Sequence, residues 1–269
     1  TIPGMGMGVV GAAIGTVSAE LVAASITMYI LCFRSKELSL RIDTGRFLPT
    51  WGVVKRALHI SLPMGLQQTI MCSAYVMTTI IIAPLGTFAI AANSFGVIVE
   101  SLCYMPGYGI ADAATTLVGQ SIGAGRHELM KRFAWLSVGL GVTVMAVMGV
   151  VMYVGAPVAM AMMTPAEEVR RLGVEVLRIE AFAEPMFAAA IVSYGVFVGA
   201  AKTLVPSIMN LVSIWGVRIS LAALLAPSMG LRGVWIAMCI ELCFRGFIFL
   251  VKLKFWNIQT SCNHYGKDQ

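Results

Sequence analysis

Seven long apolar stretches, at roughly 8–33, 60–83, 88–119, 132–154, 171–199, 205–225 and 232–252, fill most of this chain. Each holds about 20 residues or more, enough at 1.5 Å rise per residue to cross the roughly 30 Å hydrocarbon layer of a bilayer. The hydrophobic fraction is 58%, the mean hydropathy +0.85 and the charged share 12%, the last about half that of a globular domain. A soluble fold of 269 residues has too little interior to hide so much apolar surface. The sequence therefore predicts an all-α membrane protein, a polytopic bundle of about seven spans.

The net charge of +6 and pI near 9.1 matter less than where the charges fall. Thirteen of the nineteen basic residues cluster in alternate connections: Arg34 to Arg56, Arg126 to Arg132, Lys202, and Lys252 to Lys267. The connection at 84–87 has none, and Arg170 and Arg171 stand beside Glu167 and Glu168. This is the positive-inside asymmetry, and it places the 34–59 loop and the tail in the cytoplasm. Basic residues are not interleaved with aromatics on a soluble face, so no nucleic-acid partner is expected.

The six cysteines lie mostly within apolar spans and lack ligand-type spacing, as small hydrophobes do. His59, His127 and His264 sit in or beside connections, and no metal cluster is expected. The start Thr1-Ile2-Pro3 carries no charged segment ahead of an apolar core, unlike a signal peptide, and a longer polypeptide is expected to precede it.

The first and last spans read alike. Gly8-Val9-Val10-Gly11-Ala12-Ala13-Ile14-Gly15 opens one and Gly230-Leu231-Arg232-Gly233-Val234-Trp235-Ile236-Ala237 the other, with Glu20 and Glu241 at nearly the same depth. If they are corresponding helices of two repeats, one repeat has six helices. Residues 1–33 then end a first lobe, 34–59 link the lobes, 60–252 form a six-helix second lobe and 253–269 a cytoplasmic tail. Small residues that simply allow close helix packing are the plainer reading. In the linker, Trp51, Val54 and Leu58 oppose Lys55, Arg56 and His59, a pattern suited to a helix at headgroup level or to a solvated connection.

Ionisable groups within spans are expensive and mark function unless a cheap partner is at hand. Glu241 has Arg245 one turn on, and Glu175 has Arg171 and Arg178, so local pairing accounts for them. Arg218 has no acid on its own helix and must find one elsewhere. Glu180 and Glu184 stand one turn apart on one face, with no basic residue until Lys202. Pro185 removes a backbone bond there and frees a carbonyl near Ala181. Such an oxygen-rich break can hold Na⁺, and the carboxylate can carry a proton; a water-bonded glutamate in a packed bundle is the bland alternative. Glu100 and Asp112 flank Pro106-Gly107-Tyr108-Gly109, which suggests a kinked helix lining a polar cavity. Gln67 and Gln68 in the second span either join helices or bind substrate. The eighteen methionines suit an adaptable binding surface as well as lipid-facing filler. No nucleophile–base set, phosphate-cradling loop or metal motif points to an enzyme.

One stretch is more specific. Ala113-Ala114-Thr115-Thr116-Leu117-Val118-Gly119-Gln120-Ser121-Ile122-Gly123-Ala124-Gly125-Arg126 resembles the signature after the second helix of a lobe in multidrug and toxic compound extrusion (MATE) transporters. Leu62-Pro63-Met64-Gly65, Ala83-Pro84-Leu85-Gly86, Glu184-Pro185 and Gly199-Ala200-Ala201-Lys202-Thr203 resemble further landmarks in order. Gly119, Gly123 and Gly125 suit a tight cytoplasmic turn. The resemblance covers about 1–255. It implies two six-helix lobes, here the last helix of the first and the whole second, exporting organic cations or metabolites against Na⁺ or H⁺. The acids that some members carry in the seventh and tenth helices fall here near Met71, in a span with no acid, and near Phe187, with Glu184 one turn away.

The expected protein is thus a secondary antiporter in the cytoplasmic membrane of a bacterium, with a cationic small-molecule substrate and a missing N-terminal lobe of the same polypeptide as partner. It needs no cofactor beyond Na⁺ or H⁺ as coupling ion. Glu184, then Glu180, are the coupling candidates; Glu100, Asp112, Gln67 and Gln68 are the cavity-lining candidates. A lipid or lipid-linked oligosaccharide flippase of related fold is the alternative, and a non-transporting scaffold or receptor the second.

Overall fold

The computed structural model describes residues 8–34 and 50–256. Expectations for 1–7, most of the linker (35–49) and most of the tail (257–269) lie outside the described residues. Among the described residues every regular element is helical. They are α1 (Gly8–Tyr29), α2 (Trp51–Ile82), α3 (Thr87–Gly123), α4 (His127–Met163), α5 (Glu167–Glu180), α6 (Glu184–Gly199), α7 (Leu204–Val212), α8 (Ser220–Met229) and α9 (Leu231–Lys254). A π-helical turn closes α1 at Ile30–Arg34, and a second, Ser213–Ile219, joins α7 to α8.

Every predicted apolar stretch falls on helix. Gly65–Leu85, α3, α4, Leu204–Met229 and α9 are each long and apolar enough to cross a membrane, and α5 with α6 make a sixth span bent by 60°. The apolar part of α1, Ala13–Tyr29, is shorter. At 37 residues, α3 and α4 are each about 55 Å long, so both extend well beyond the hydrocarbon. Residues 51–59 are helical and form the first turns of α2, ahead of the apolar span Gly65–Leu85.

Contacts divide the chain into 1–54 and 55–269. In the first unit, α1 exposes Leu21 and Ile26, and Ser25 and Thr27 donate to the carbonyls of Leu21 (2.7 Å) and Ala23 (2.8 Å). Back-bonding of this kind satisfies a hydroxyl inside an apolar helix.

The second unit is built around α6, which packs against α3, α4 and α9. Lipid is as apolar as leucine, so close packing rather than hydrophobicity must hold helices together. A side chain at Gly195 would meet the Ala111 carbonyl oxygen at 2.6 Å, and one at Gly199 would collide with that of Thr115. The Thr115 hydroxyl donates to the carbonyls of Ala111 and Gly195, both at 2.9 Å. Gly195 and Gly199, four apart, thus bring α3 and α6 into backbone contact. Gly246 does the same for α9 against Met186.

The turn after α3 forms as the glycine spacing predicts. Arg126 N–H bonds the Ser121 carbonyl (3.0 Å) and Gly125 N–H that of Ile122 (2.9 Å), with Gly125 at φ +68°. This is a Schellman cap, and its left-handed position favours glycine. Gly119 instead faces the Gly199 carbonyl at packing distance. The same cap closes α6, where Lys202 N–H reaches Phe197 and Ala201 N–H reaches Val198, both at 2.9 Å. Alanine holds the left-handed position there, with Ala201 at φ 54°.

Candidate functional site

On α3, Glu100, Tyr104 and Tyr108 follow at four-residue intervals and form one stripe. A helix turns 100° per residue, and this stripe faces a cavity that holds the buried acid Glu100. It encloses about 270 Å³. Tyr75, Thr78 and Thr79 of α2 line it, as do Asn93, Ser94, Glu100, Tyr104 and Tyr108 of α3 and Phe187 of α6. Arg218, on the second π-helical turn, and Trp235, Met238, Leu242 and Arg245 of α9 complete the wall. The Trp235 indole donates to Asn93 Oδ1 at 3.1 Å, fixing one wall. Tyr104 makes edge contacts with Tyr108 (5.6 Å) and Phe187 (5.7 Å), the geometry aromatic quadrupoles prefer.

The charges within this wall are both arginine and glutamate. Arg245 pairs with Glu241, its Nε 3.1 Å from Oε1, as the one-turn spacing predicts, and lies over the Phe187 ring at 5.4 Å. Arg218 closes no ion pair with an acid of another helix, although Glu100 of α3 lines the same cavity. The Arg218 guanidinium stands 6.0 Å over the Tyr75 ring and donates to Met238 Sδ. Single π-helical turns within α-helices gather at functional sites, and this one carries Arg218.

Glu180 and Glu184 are buried, each 1% exposed, and do not line the cavity. They do not share a face of one helix: the chain turns at 181–183, so Glu180 ends α5 and Glu184 begins α6. Pro185 at the first turn of α6 is the cause, since its ring cannot continue the α5 hydrogen-bond ladder. The break is braced by α4, where a side chain at Gly149 would meet the Ala181 carbonyl oxygen at 2.7 Å. Both Glu184 carboxylate oxygens, Glu180 Oε2 and Ser193 Oγ are buried without a hydrogen-bond partner among the described residues. Glu100, Glu184, Glu241 and Arg218 all act electrostatically on Glu180, and Glu100 acts on Glu184. Of the three predicted acids Glu100, Glu180 and Glu184, all buried, Glu100 alone lines the cavity, and the other two flank the break between α5 and α6.

The other predicted cavity residues stand elsewhere. Asp112 is exposed; twelve residues after Glu100 on a continuous helix, it is rotated about 120° from the stripe. The expected kink at Pro106 does not interrupt α3, which is one helix from Thr87 to Gly123. Gln68 is exposed. Gln67 joins helices: its Oε1 accepts from Tyr194 (3.0 Å) on α6 and from Ser207 on α7. Glu175 pairs across to Arg232 of α9 (2.6 Å) rather than with Arg171 or Arg178. The aromatic lining, Tyr75, Tyr104, Tyr108 and Trp235, was not read from the sequence, although the four-residue spacing from Glu100 carries a signal for two of these residues. Among the described residues no three His, Cys, Asp or Glu side chains converge on a metal position.

The MatE family model matches residues 63–224. A probable multidrug resistance protein NorM of Thermotoga maritima is 28% identical over 250 residues, 91% of this chain and 53% of its own length. The NorM of Xylella fastidiosa strain Temecula1 is 29% identical over 238 residues, 87% and 50% of the two chains. Among solved structures, the outward-facing conformation of a multidrug resistance MATE family transporter superposes with a TM-score of 0.81 at 20% identity, over 94% of this chain and 57% of that one. The MATE transporter VcmN of Vibrio cholerae in its bent form gives 0.77 at 19% identity, over 92% and 56%. These last two similarities concern the fold alone. The chain spans about half the length of the curated relatives it matches.

Proposed function

Since this chain belongs to the MatE family, we propose that it is the second lobe, with the last helix of the first, of a secondary transporter that exports organic cations or metabolites in exchange for Na⁺ or H⁺. The bacterial cytoplasmic membrane is its place, with the basic connections and the tail on the cytoplasmic side. The observation that carries the reading is the juxtaposition of an aromatic-walled cavity holding Glu100 with two buried, incompletely bonded carboxylates, Glu184 and Glu180, at a helix break.

Each part has a chemical use. The Glu100 carboxylate and the faces of Tyr75, Tyr104 and Trp235 attract a cationic headgroup, since aromatic quadrupoles and a carboxylate both favour positive charge. Glu184 is the first coupling residue and Glu180 the second: a proton or Na⁺ on either removes negative charge facing Glu100 and changes how the cavity holds its substrate. Two lobes rocking against each other supply alternating access, with the coupling ion biasing one state. No resident cofactor is required.

The test is efflux of a fluorescent organic cation from vesicles containing the full-length protein, with proton and Na⁺ gradients imposed separately. Efflux driven by one gradient, and lost or uncoupled in Glu184→Gln, is the expected result. Unchanged coupled efflux in both Glu184→Gln and Glu180→Gln removes them from the coupling role. Silence under both gradients with several cations favours the flippase reading. The second cavity arginine lends that reading some support, but Glu241 already neutralises Arg245.

A further inference from the structure

α5 is one half of the bent span that α6 completes, yet one of its faces is basic. Arg171, Val174, Glu175 and Arg178 follow at three- and four-residue steps and form one stripe, with Glu167 and Arg170 beside it. The opposite face, Val169, Gly173, Val176 and Leu177, is buried. The stripe walls a hollow of about 590 Å³ that Pro157 and Ala161, near the end of α4, also line.

These arginines are short of acids. The ion pairs among the described residues are Arg232 with Glu175 and Arg245 with Glu241, and neither includes Arg170, Arg171 or Arg178. Arg232 already answers Glu175, which leaves three guanidinium groups and Glu167 around the hollow. Glu167 itself stands in the first turn of α5, where the helix dipole favours an acid in any case. Unpaired cations along a membrane span are costly. On the orientation proposed above, this end of α5 faces outward, where basic residues are otherwise scarce.

An apolar groove of about 400 Å³ adjoins the hollow, and Arg178 lines both. The Arg178 guanidinium lies over the Tyr153 ring at 5.2 Å, a cation–π contact. Tyr153 meets Phe182 edge-on at 5.8 Å, and Phe182, in the break between α5 and α6, is 73% exposed. Ile236 and Ile240 of α9 complete the groove. The aromatic-walled cavity lies elsewhere: it takes Trp235 and Met238 from α9, about 100° round that helix from Ile236 and Cys239, and shares no lining residue with the groove.

Arginine forks beside an apolar furrow match a phosphodiester that carries hydrocarbon. Guanidinium groups bind phosphate oxygens in pairs, and basic pockets between spans receive anionic headgroups. A soluble anion would use the arginines and leave the groove unexplained. A choline headgroup would bring its own cation to a wall that already has too many. We propose that this face of α4, α5 and α9 binds an anionic phospholipid of the outer leaflet, its phosphate held by Arg170, Arg171 and Arg178 and one acyl chain laid along Tyr153, Phe182 and Ile240. The site goes beyond the transport reading and depends only on the membrane setting of the chain.

Native mass spectrometry decides it. The purified full-length protein is delipidated and given equimolar palmitoyl-oleoyl phosphatidylglycerol and phosphatidylcholine. The first phosphatidylglycerol is expected to be retained roughly 10-fold more than phosphatidylcholine, the scale of one charge-assisted pairing. The triple variant Arg170→Gln/Arg171→Gln/Arg178→Gln is expected to bring that ratio to within about 2-fold, and Arg178→Gln alone to lower it partway. Lys131→Gln/Arg132→Gln/Lys202→Gln, which removes as many exposed charges from the proposed cytoplasmic connections, should keep it. Thermal unfolding checks that each variant is folded. No preference in the wild-type protein, a preference retained in the folded arginine variants, or equal loss in both triple variants overturns the inference. Glycerophosphoglycerol, the headgroup without chains, should compete poorly; competition as strong as that of the intact lipid overturns the lipid assignment in favour of a soluble anion.

Discussion

Glu241 Oε1 accepts a hydrogen bond from Ser213 Oγ at 2.6 Å, while Arg245 Nε lies 3.1 Å from the same oxygen. One fully buried carboxylate thus ties the second π-helical turn to α9 and neutralises an arginine of the cavity wall. Removing one member of a buried pair strands the other charge, at about 3–5 kcal/mol. Glu241→Ala is expected to lower stability in detergent on that scale, and Glu241→Leu combined with Arg245→Met to recover most of the loss. Chemical unfolding of both variants measures it. A double variant as unstable as the single one would count against the pairing.

Ala201 at φ 54° occupies the position that Gly125 fills in the equivalent cap of α3. A side-chain-bearing residue in the left-handed region costs about 1 kcal/mol or more relative to glycine. Ala201→Gly should therefore stabilise by about 1 kcal/mol, and Gly125→Ala should destabilise by a similar amount. Opposite shifts in the unfolding midpoint are the expected pair of results.

Gly195 has no room for a side chain against the Ala111 carbonyl. Gly195→Val is expected to force α3 and α6 apart and abolish recovery of folded protein. Thr115→Val, which loses the bond to the Gly195 carbonyl and keeps the shape, should cost about 1 kcal/mol. Folded yield in detergent, by size-exclusion chromatography, separates the two outcomes.

The Arg232–Glu175 bridge is short at 2.6 Å but its side chains are 51% and 32% exposed. Solvent screens such a pair, and Glu175→Gln should change stability by less than about 1 kcal/mol. A larger loss would mean that the bridge orders the α5–α9 contact.

Asp112 and Gln68 stand outside the cavity, so Asp112→Asn and Gln68→Ala should leave affinity for a cavity ligand within about 2-fold. Gln67→Ala should instead lower stability by about 1–2 kcal/mol, because it removes the acceptor shared by Tyr194 and Ser207. Calorimetric binding beside chemical unfolding distinguishes these roles residue by residue.

Span positions, the turn at Gly125, the pairing of Glu241 with Arg245 and the unpaired depth of Arg218 all follow from local rules: span length, glycine conformation, one-turn spacing and the cost of charge in hydrocarbon. Those rules act within one helix, so the sequence by itself determined them. It also placed Glu180, Glu184 and Glu100 as costly intramembrane acids, because a carboxylate there needs a reason wherever its neighbours are.

What the acids face belongs to the tertiary structure alone. Pro185 announced a disturbance, but that the chain would turn by 60° and put Glu180 and Glu184 on separate helices depended on Gly149 letting α4 close against the break. Asp112 and Glu100 look equivalent along the sequence, and only the uninterrupted course of α3 through Pro106 rotates one out and leaves the other in. Glu175 had two arginines on its own helix and took one from α9. Partner choice across helices, and the pairing of Tyr75, Arg218 and Trp235 around one space, depend on which helix faces are adjacent. Close backbone packing at a few small residues sets that adjacency, and no single span records it.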